Sequence, residues 1–249
     1  MLKKPVSFRD LTIIELNDSE VLVIACDSLG GIGPKINDRI KVPGEILGMF
    51  TARVPLMEVM AAGAKPVALV NTLSVEMSPT GAEIIKGIKN EVQNVGLEKD
   101  LIINGSTEEN IPTIQTGLGV TVIGQGAKSE LRLGSSKTGA LVVCLGRPKV
   151  GEEVLDGSGT ADLHLLKKVL ETPGVQEVLP VGSRGIRYEA QQLAWGAKLN
   201  LKLLANQEID LEKSAGPSTC LLVSIEEKNW PQLVEKVDYL PIYKIGYLQ

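Results

Sequence analysis

The sequence predicts an α+β chain built of two-layer α/β units and divided into two domains. Three observations predict it. Strand-like and helix-like runs alternate in both halves instead of segregating into a helix bundle or a β-sandwich. The length, 249 residues, suits one large domain or two small ones. A polar stretch with no long apolar run, AKSELRLGSSKT at 127–138, falls near the middle and sets the boundary between 1–135 and 136–249. Hydrophobic residues at 43% and charged residues at 22% are ordinary globular usage, so each half has material for a core.

Strands are expected at LTIIEL (11–16) and EVLVIAC (20–26), joined into a hairpin by Asn17, Asp18 and Ser19, whose short polar side chains favour a turn. After the loop DSLGGIGPKINDRIK, Pro43 can open a helix reaching Gly63, with Pro55 expected to kink or split it. PVALVNTLSVEMS (66–78) reads as a strand. Ser78 and Pro79 form an N-cap and first-turn pair for a helix in which Ile84, Ile85, Ile88 and Val92 keep helical spacing up to Gly96. LIIN (101–104) and GLGVTVIGQG (117–126) are strand-like on either side of the polar GSTEENIPTIQT. The second half repeats the alternation: strand ALVVCLG, helix 160–171, a short strand near Val178, helix 184–195, strands LNLKLL and TCLLVSI, a short helix from Pro231 to Val237, and a last strand IYKIGYL.

Composition removes several functions. The formal charge is −4 and no basic stripe is present, so neither nucleic acid nor an anionic membrane is an expected partner. No apolar stretch reaches the roughly 18 residues of a membrane helix. The opening MLKKPVSFRD lacks the apolar core of a signal peptide, so a cytoplasmic address is expected. Cys26, Cys144 and Cys220 each fall inside an apolar run and are expected to be buried thiols. The one histidine, His164, sits on an amphipathic helix and is read as structural, and Tyr188 and Trp195, about two turns apart on one helix, as core. With so few imidazoles and thiolates, zinc sites and Ser/His or Cys/His nucleophile systems are disfavoured. A metal would be held by oxygen, which points to magnesium and phosphoryl chemistry.

The most informative segment is DSLGGIGPK (27–35), directly after a strand. Gly30, Gly31 and Gly33 permit a tight loop whose N–H groups can face phosphate oxygens, Lys35 adds a point charge, and Asp27 can bind a metal. Neither G-x-x-x-x-G-K-[ST] nor G-x-G-x-x-G is present, so a P-loop NTPase and a dinucleotide fold are not supported.

The ordered set around this loop resembles the superfamily of aminoimidazole ribonucleotide (AIR) synthetase, thiamine monophosphate kinase and selenophosphate synthetase, over most of the chain. Arg9 and Asp10 stand where that superfamily has an early acidic pair, Asp27 matches the acid ending the second strand, and Lys35 matches the lysine of the synthetase loop. In MEVMAAGAKPVAL (57–69), Glu58 fills the place of an acid facing the metal, and Pro55 replaces an asparagine. NGSTEENIP (104–112) is similar to a Gly-Gly-Asp/Glu-Thr loop, keeping Gly105 and Thr107 but carrying Ser106 at the acidic position, with Glu108 or Glu109 as substitutes. Arg132 in LRLGSSKTGALVVCLG matches an arginine that approaches nucleotide phosphate. VGSRGIRYEAQQLAWGA (181–197) stands in for an Asp-Val-Ser-Asp-Gly helix start, keeping Ser183 and Gly185 but placing Arg184 at an acidic position.

The resemblance implies an AIR synthetase-like two-domain fold whose N-terminal domain dimerises through a shared β-barrel, hence a homodimer. It implies ATP and Mg²⁺ as cofactors and a small-molecule substrate. Asp27 and Lys35 would be catalytic. Gly31, Gly33, Gly105, Thr107 and Arg132 would bind nucleotide, while Asp10, Asp27, Glu58 and Glu109 would hold metal and Ser183 and Arg184 the substrate. Among the members the chain looks most like α-ribazole kinases, which phosphorylate the ribose 5′-hydroxyl of a nucleoside used in cobamide (vitamin B12) lower-ligand salvage. A thiamine-monophosphate-kinase-like enzyme, an ATP-dependent synthetase, and a non-catalytic nucleotide-binding regulatory protein are the alternatives.

Overall fold

The structure, a computed structural model, describes residues 4–249; residues 1–3, which open the stretch read above as lacking a leader, lie outside it. The chain divides into two compact units, one holding the described residues up to Met60 with Ala64–Glu130, the other Ala61–Gly63 with Leu131–Gln249. No helix among the described residues is long and apolar enough to cross a membrane.

The first unit runs β1 (Val6–Phe8), β2 (Leu11–Glu15), β3 (Glu20–Gly30), the two-residue strands β4 (Ile32–Gly33) and β5 (Ile40–Lys41), α1 (Gly44–Ala61), β6 (Lys65–Leu73), α2 (Ala82–Asn94), β7 (Ile102–Thr107) and β8 (Gly117–Ala127). Six strands form one sheet in the order β1-β2-β3-β8-β6-β7, antiparallel except for the parallel β6–β7 pair. The expected hairpin is β2–β3, and the Asn17 side-chain oxygen accepts from the N–H groups of Ser19 and Glu20 in its turn. One sheet face is buried, through Val21, Val23 and Ala25 of β3 and Val120 and Val122 of β8. The alternate residues, including Leu22, Ile24, Val70 and Ile123, are only half-buried.

Helices α1 and α2 cross closely because Gly48 and Gly87 carry no side chain: a Cβ on Gly48 would strike the Ile84 backbone, and one on Gly87 the Glu45 backbone. A bidentate ion pair ties the same helices, from Arg53 Nε to Glu91 Oε1 at 2.6 Å and Arg53 Nη2 to Glu91 Oε2 at 3.2 Å. Pro55 does not split the helix: α1 runs from Gly44 to Ala61 through it. Its neighbours Ala52, Val54, Leu56, Met57 and Val59 are all buried, and that packing holds a turn the missing N–H would otherwise loosen.

The strand expected to reach residue 78 ends at Leu73, and the helix expected to be capped by Ser78 begins at Ala82. Ser78 is extended, with φ −117° and ψ 123°, before a cis Ser78–Pro79 bond, so its hydroxyl cannot cap α2.

The second unit runs β9 (Leu141–Gly146), α3 (Leu163–Leu170), β10 (Val175–Pro180), α4 (Gly185–Gly196), β11 (Leu201–Leu203), β12 (Cys220–Ile225), α5 (Trp230–Lys236) and β13 (Ile242–Leu248). Its sheet is fully antiparallel in the order β10-β12-β9-β13-β11. The central strands β9 and β12 are buried at every position, which is why both read as unbroken apolar runs. Val142, Cys144, Cys220 and Leu222 pack with Ile186, Ala190 and Leu193 of α4. Two cysteines are buried as expected, but Cys26 is exposed, because it points to the half-covered face of the first sheet. Trp195 is 60% exposed rather than core, and Tyr188 is half-buried under the Arg184 guanidinium, 4.6 Å from its ring centroid.

Candidate functional site

One end of the first unit's sheet gathers most of the residues singled out above. There β3 ends at Gly30 opposite Gly117, where β8 begins, and Leu73, the last residue of β6, lies beside Thr107, the last of β7. Three connections leave from this end: the glycine loop after β3, the segment between β6 and α2, and the polar loop between β7 and β8.

These connections are knitted together. Asp38 is the principal tie, a residue read above only as part of a loop. Its carboxylate accepts from Thr116 N at 2.8 Å, Thr116 Oγ1 at 2.7 Å and Lys35 N at 2.8 Å, and it is 5% exposed. Gly33, at φ 145°, is required here, since a Cβ would stand 2.6 Å from Thr116 Oγ1 and 2.9 Å from Asp38 Oδ2. Gly31, at φ 75°, gives its N–H to Thr116 O at 2.9 Å and not outward as a phosphate-facing loop would. Both glycines therefore serve the packing of the loop itself.

Lys35 is likewise engaged. Its ammonium donates to Glu76 Oε2 at 2.5 Å and Thr113 O at 2.9 Å, and its side chain is 13% exposed. Burial works against charge on Glu76. Hydrogen bonds from Lys35, Thr80 and its own backbone, with the Lys35 charge, outweigh it and hold the carboxyl at about 2. Sequence reasoning missed Glu76, because 41 residues separate it from Lys35 and only the topology joins them.

Asp27 lies inside β3, three residues before its end, and not at the strand terminus. It shares the face of Val21, Val23 and Ala25, so it is half-buried, and burial raises its carboxyl above the usual range against a backbone hydrogen bond at Ser28 that lowers it. In register, Asp27, Val120, Asn71 and Gly105 form one row across β3, β8, β6 and β7. Gly105 is glycine because the Asn71 amide occupies the space a Cβ would need. Asn71 donates Nδ2 to Asn104 O at 3.0 Å while its buried Oδ1 accepts from no protein group. At about 4.8 Å per strand step, the backbones of Asp27 and Gly105 stand about 14 Å apart, beyond the shell of a single cation.

The remaining acids do not converge. Asp10 is exposed in the two-residue turn between β1 and β2, after Arg9 at φ 55°. Glu58 is half-buried on α1. Glu109 accepts from Met77 N at 2.8 Å and Thr107 Oγ1 at 2.7 Å, so it and the Thr107 hydroxyl are engaged with the loops themselves, although Glu109 stays exposed. Glu108 accepts from Asn110 N and Ile111 N, which hold its carboxyl below the usual range. Among the described residues no group of three or more His, Cys, Asp or Glu is placed to hold a metal ion. The four carboxylates expected to cage magnesium thus do not fit that role together.

In the second unit, Arg132 is half-buried, with its N–H on Ala62 O at 2.9 Å. Ser183 and Arg184 are exposed just before α4, whose first residue, Gly185, has φ 80° and no room for a Cβ, which would meet the Leu211 and Glu212 backbones.

A sheet with two helices on one face, followed by a second helix-covered antiparallel sheet, is the AIR synthase-like fold. Residues 8–125, which apart from Ala61–Gly63 lie within the first unit, match the family model described as AIR synthase related protein, N-terminal domain. Among solved structures, the hydrogenase maturation protein HypE is similar at a TM-score of 0.67 with 15% identity, over 94% of this chain and 81% of that one. AaThiL complexed with AMPPCP and TMP gives 0.62 and 14%, over 98% and 85%. PurL of T. maritima complexed with ATP gives 0.64 and 15%, over 95% and 41%. A search of the curated proteins found no match.

Proposed function

We propose that this protein is an ATP-dependent phosphotransferase acting on a small molecule, with residues 1–135 binding ATP and residues 136–249 contributing to acceptor recognition. The observation that carries the reading is the assembly of Asp27, the glycine loop with Lys35, and the Gly105–Thr107 end of β7 at one end of a sheet that matches the AIR synthase-related N-terminal domain. Fold neighbours crystallised with ATP or AMPPCP support the choice of nucleotide. Phosphoryl transfer asks a protein chiefly for positioning and for charge placed where the transferred group gathers it. Lys35 supplies such charge, and exposed Arg39 and Lys41 in the same loop add to it. Asp27 is the partly buried carboxylate available to orient the reacting groups. Magnesium enters as the companion of ATP, shared between phosphate oxygens and at most one or two carboxylates, as that ion commonly is. Arg132 is assigned to nucleotide phosphate, and Ser183 with Arg184 to the acceptor.

For the acceptor we propose the ribose 5′-hydroxyl of α-ribazole, with thiamine monophosphate the comparison suggested by AaThiL. Incubation with ATP, magnesium and each acceptor decides. A stable phosphomonoester with ADP supports the kinase, whereas free phosphate with a new C–N bond supports the ATP-dependent synthetase alternative. The scattered carboxylates favour one further reading, a nucleotide-binding regulatory protein. ATP binding without turnover on any acceptor would establish it.

The reading includes a homodimer formed by the half-buried sheet face. Ile14, Leu22, Ile24, Val70 and Ile123 leave an apolar surface there that a second copy would cover.

A further inference from the structure

Lys35 is the charge the proposed reaction needs, yet in this structure it is already neutralised. Two of the three donors of its ammonium are spent, on Glu76 Oε2 and Thr113 O, and its side chain is 13% exposed. Glu76 is fixed from its other side, since Oε1 accepts from Thr80 Oγ1 at 2.5 Å. Its side chain keeps 32% exposure, so the pair is reachable from solvent. Lys41 is anchored on the carbonyl oxygens of Lys35 and Ile36, which adds a second positive charge beside the pair. An anion arriving at this loop meets attraction from Lys41 and Arg39 and repulsion from Glu76.

We propose that Glu76 is a built-in competitor for the anion that Lys35 receives, and so a specificity-determining residue: it makes the loop select highly charged polyphosphate over singly phosphorylated compounds. The inference rests on the reading that Lys35 meets phosphate. Opening the pair exposes a carboxylate, and only a ligand that offers more negative charge than Glu76, in several oxygens at once, recovers the lost interaction. A monophosphate exchanges one carboxylate for one comparable anion and gains little. A triphosphate offers several anionic groups, enough to meet Lys35 and the neighbouring Arg39 and Lys41 of the same loop.

Calorimetric titration of the whole chain with inorganic tripolyphosphate, inorganic phosphate and ATP tests this in wild type, Glu76→Gln, Lys35→Gln and the double variant. The expected result is about tenfold tighter tripolyphosphate binding in Glu76→Gln, the scale of one rim charge removed from an anion site. Preference over inorganic phosphate should narrow in the same variant. Lys35→Gln should lose binding, and adding Glu76→Gln to it should restore nothing. Unchanged or weaker binding in Glu76→Gln, tightening that persists without Lys35, or no binding of either polyphosphate to wild type overturns the proposal. Should Glu76→Gln fail to fold, Glu76→Asp keeps the charge but withdraws it by one methylene, and about twofold to threefold tightening is expected; no tightening there overturns the proposal equally. Tripolyphosphate following this cycle while ATP phosphorylates no acceptor would leave the Glu76 assignment standing and refute the phosphotransferase reading alone.

Discussion

At the scale of single residues, Asp27 and Glu76 respond to burial and partners in opposite directions. Burial lifts the Asp27 carboxyl above its usual range, so the folded state disfavours its charged form and loses stability as pH rises through the interval between the unfolded and folded values. Asp27→Asn is therefore expected to raise the melting temperature of the ligand-free protein at neutral pH. The same change should cut turnover by about 10²-fold or more, the scale of losing one preorganised electrostatic group. A lower melting temperature would show that Asp27 holds the fold and not the chemistry. Glu76 has the opposite sign. Its carboxyl lies at about 2 instead of 4.5, so it contributes stability above the ordinary glutamate range that is lost as pH falls from 4.5 towards 2. Urea unfolding across that interval should show a drop in stability that is absent in Glu76→Gln.

At the scale of elements, α1 and α2 depend on two glycine contacts and one buried ion pair. The side chains of Arg53 and Glu91 are 12% and 4% exposed, so Arg53→Ala leaves a buried carboxylate unpaired and should cost about 3–5 kcal/mol in chemical unfolding. Arg53→Met with Glu91→Leu should recover most of that loss, because the desolvation of both charges goes with them. Most of these elements were legible in the sequence. Alternation marked β2, β3 and β8, and helical spacing of Ile84, Ile88 and Val92 marked α2, since each signal comes from neighbours on one face. The start of α2 was misread because Ser78–Pro79 has the chemistry of a cap but lies in an extended, cis-linked segment. The three-residue β1 passed unseen, too short to carry a period of its own.

At the scale of the whole molecule, the half-covered sheet face of the first unit predicts self-association. Sedimentation at micromolar concentration should give a dimer, and Ile24→Lys on that face should give a monomer that keeps its melting transition; a monomeric wild type would refute the dimer. The sequence marks candidate residues one by one, and it does not show their partnerships. Lys35 reads as a free charge because Glu76, in the segment after β6, is 41 residues away in the chain, and Gly31 reads as a phosphate cradle although its N–H is held by Thr116 O. The ties of Asp38 to Thr116, of Asn71 to Asn104 and of Glu76 to Lys35 carry no local signal, since each spans 33 residues or more. The central claim, that the end of this sheet receives the polyphosphate of ATP, is tested most directly by a crystal structure with a non-hydrolysable ATP analogue. The account predicts phosphate oxygens within hydrogen-bond reach of Lys35 Nζ, with Glu76 released from it and Asp27 facing the phosphate chain. A nucleotide bound elsewhere, with the Lys35–Glu76 pair intact, would contradict it.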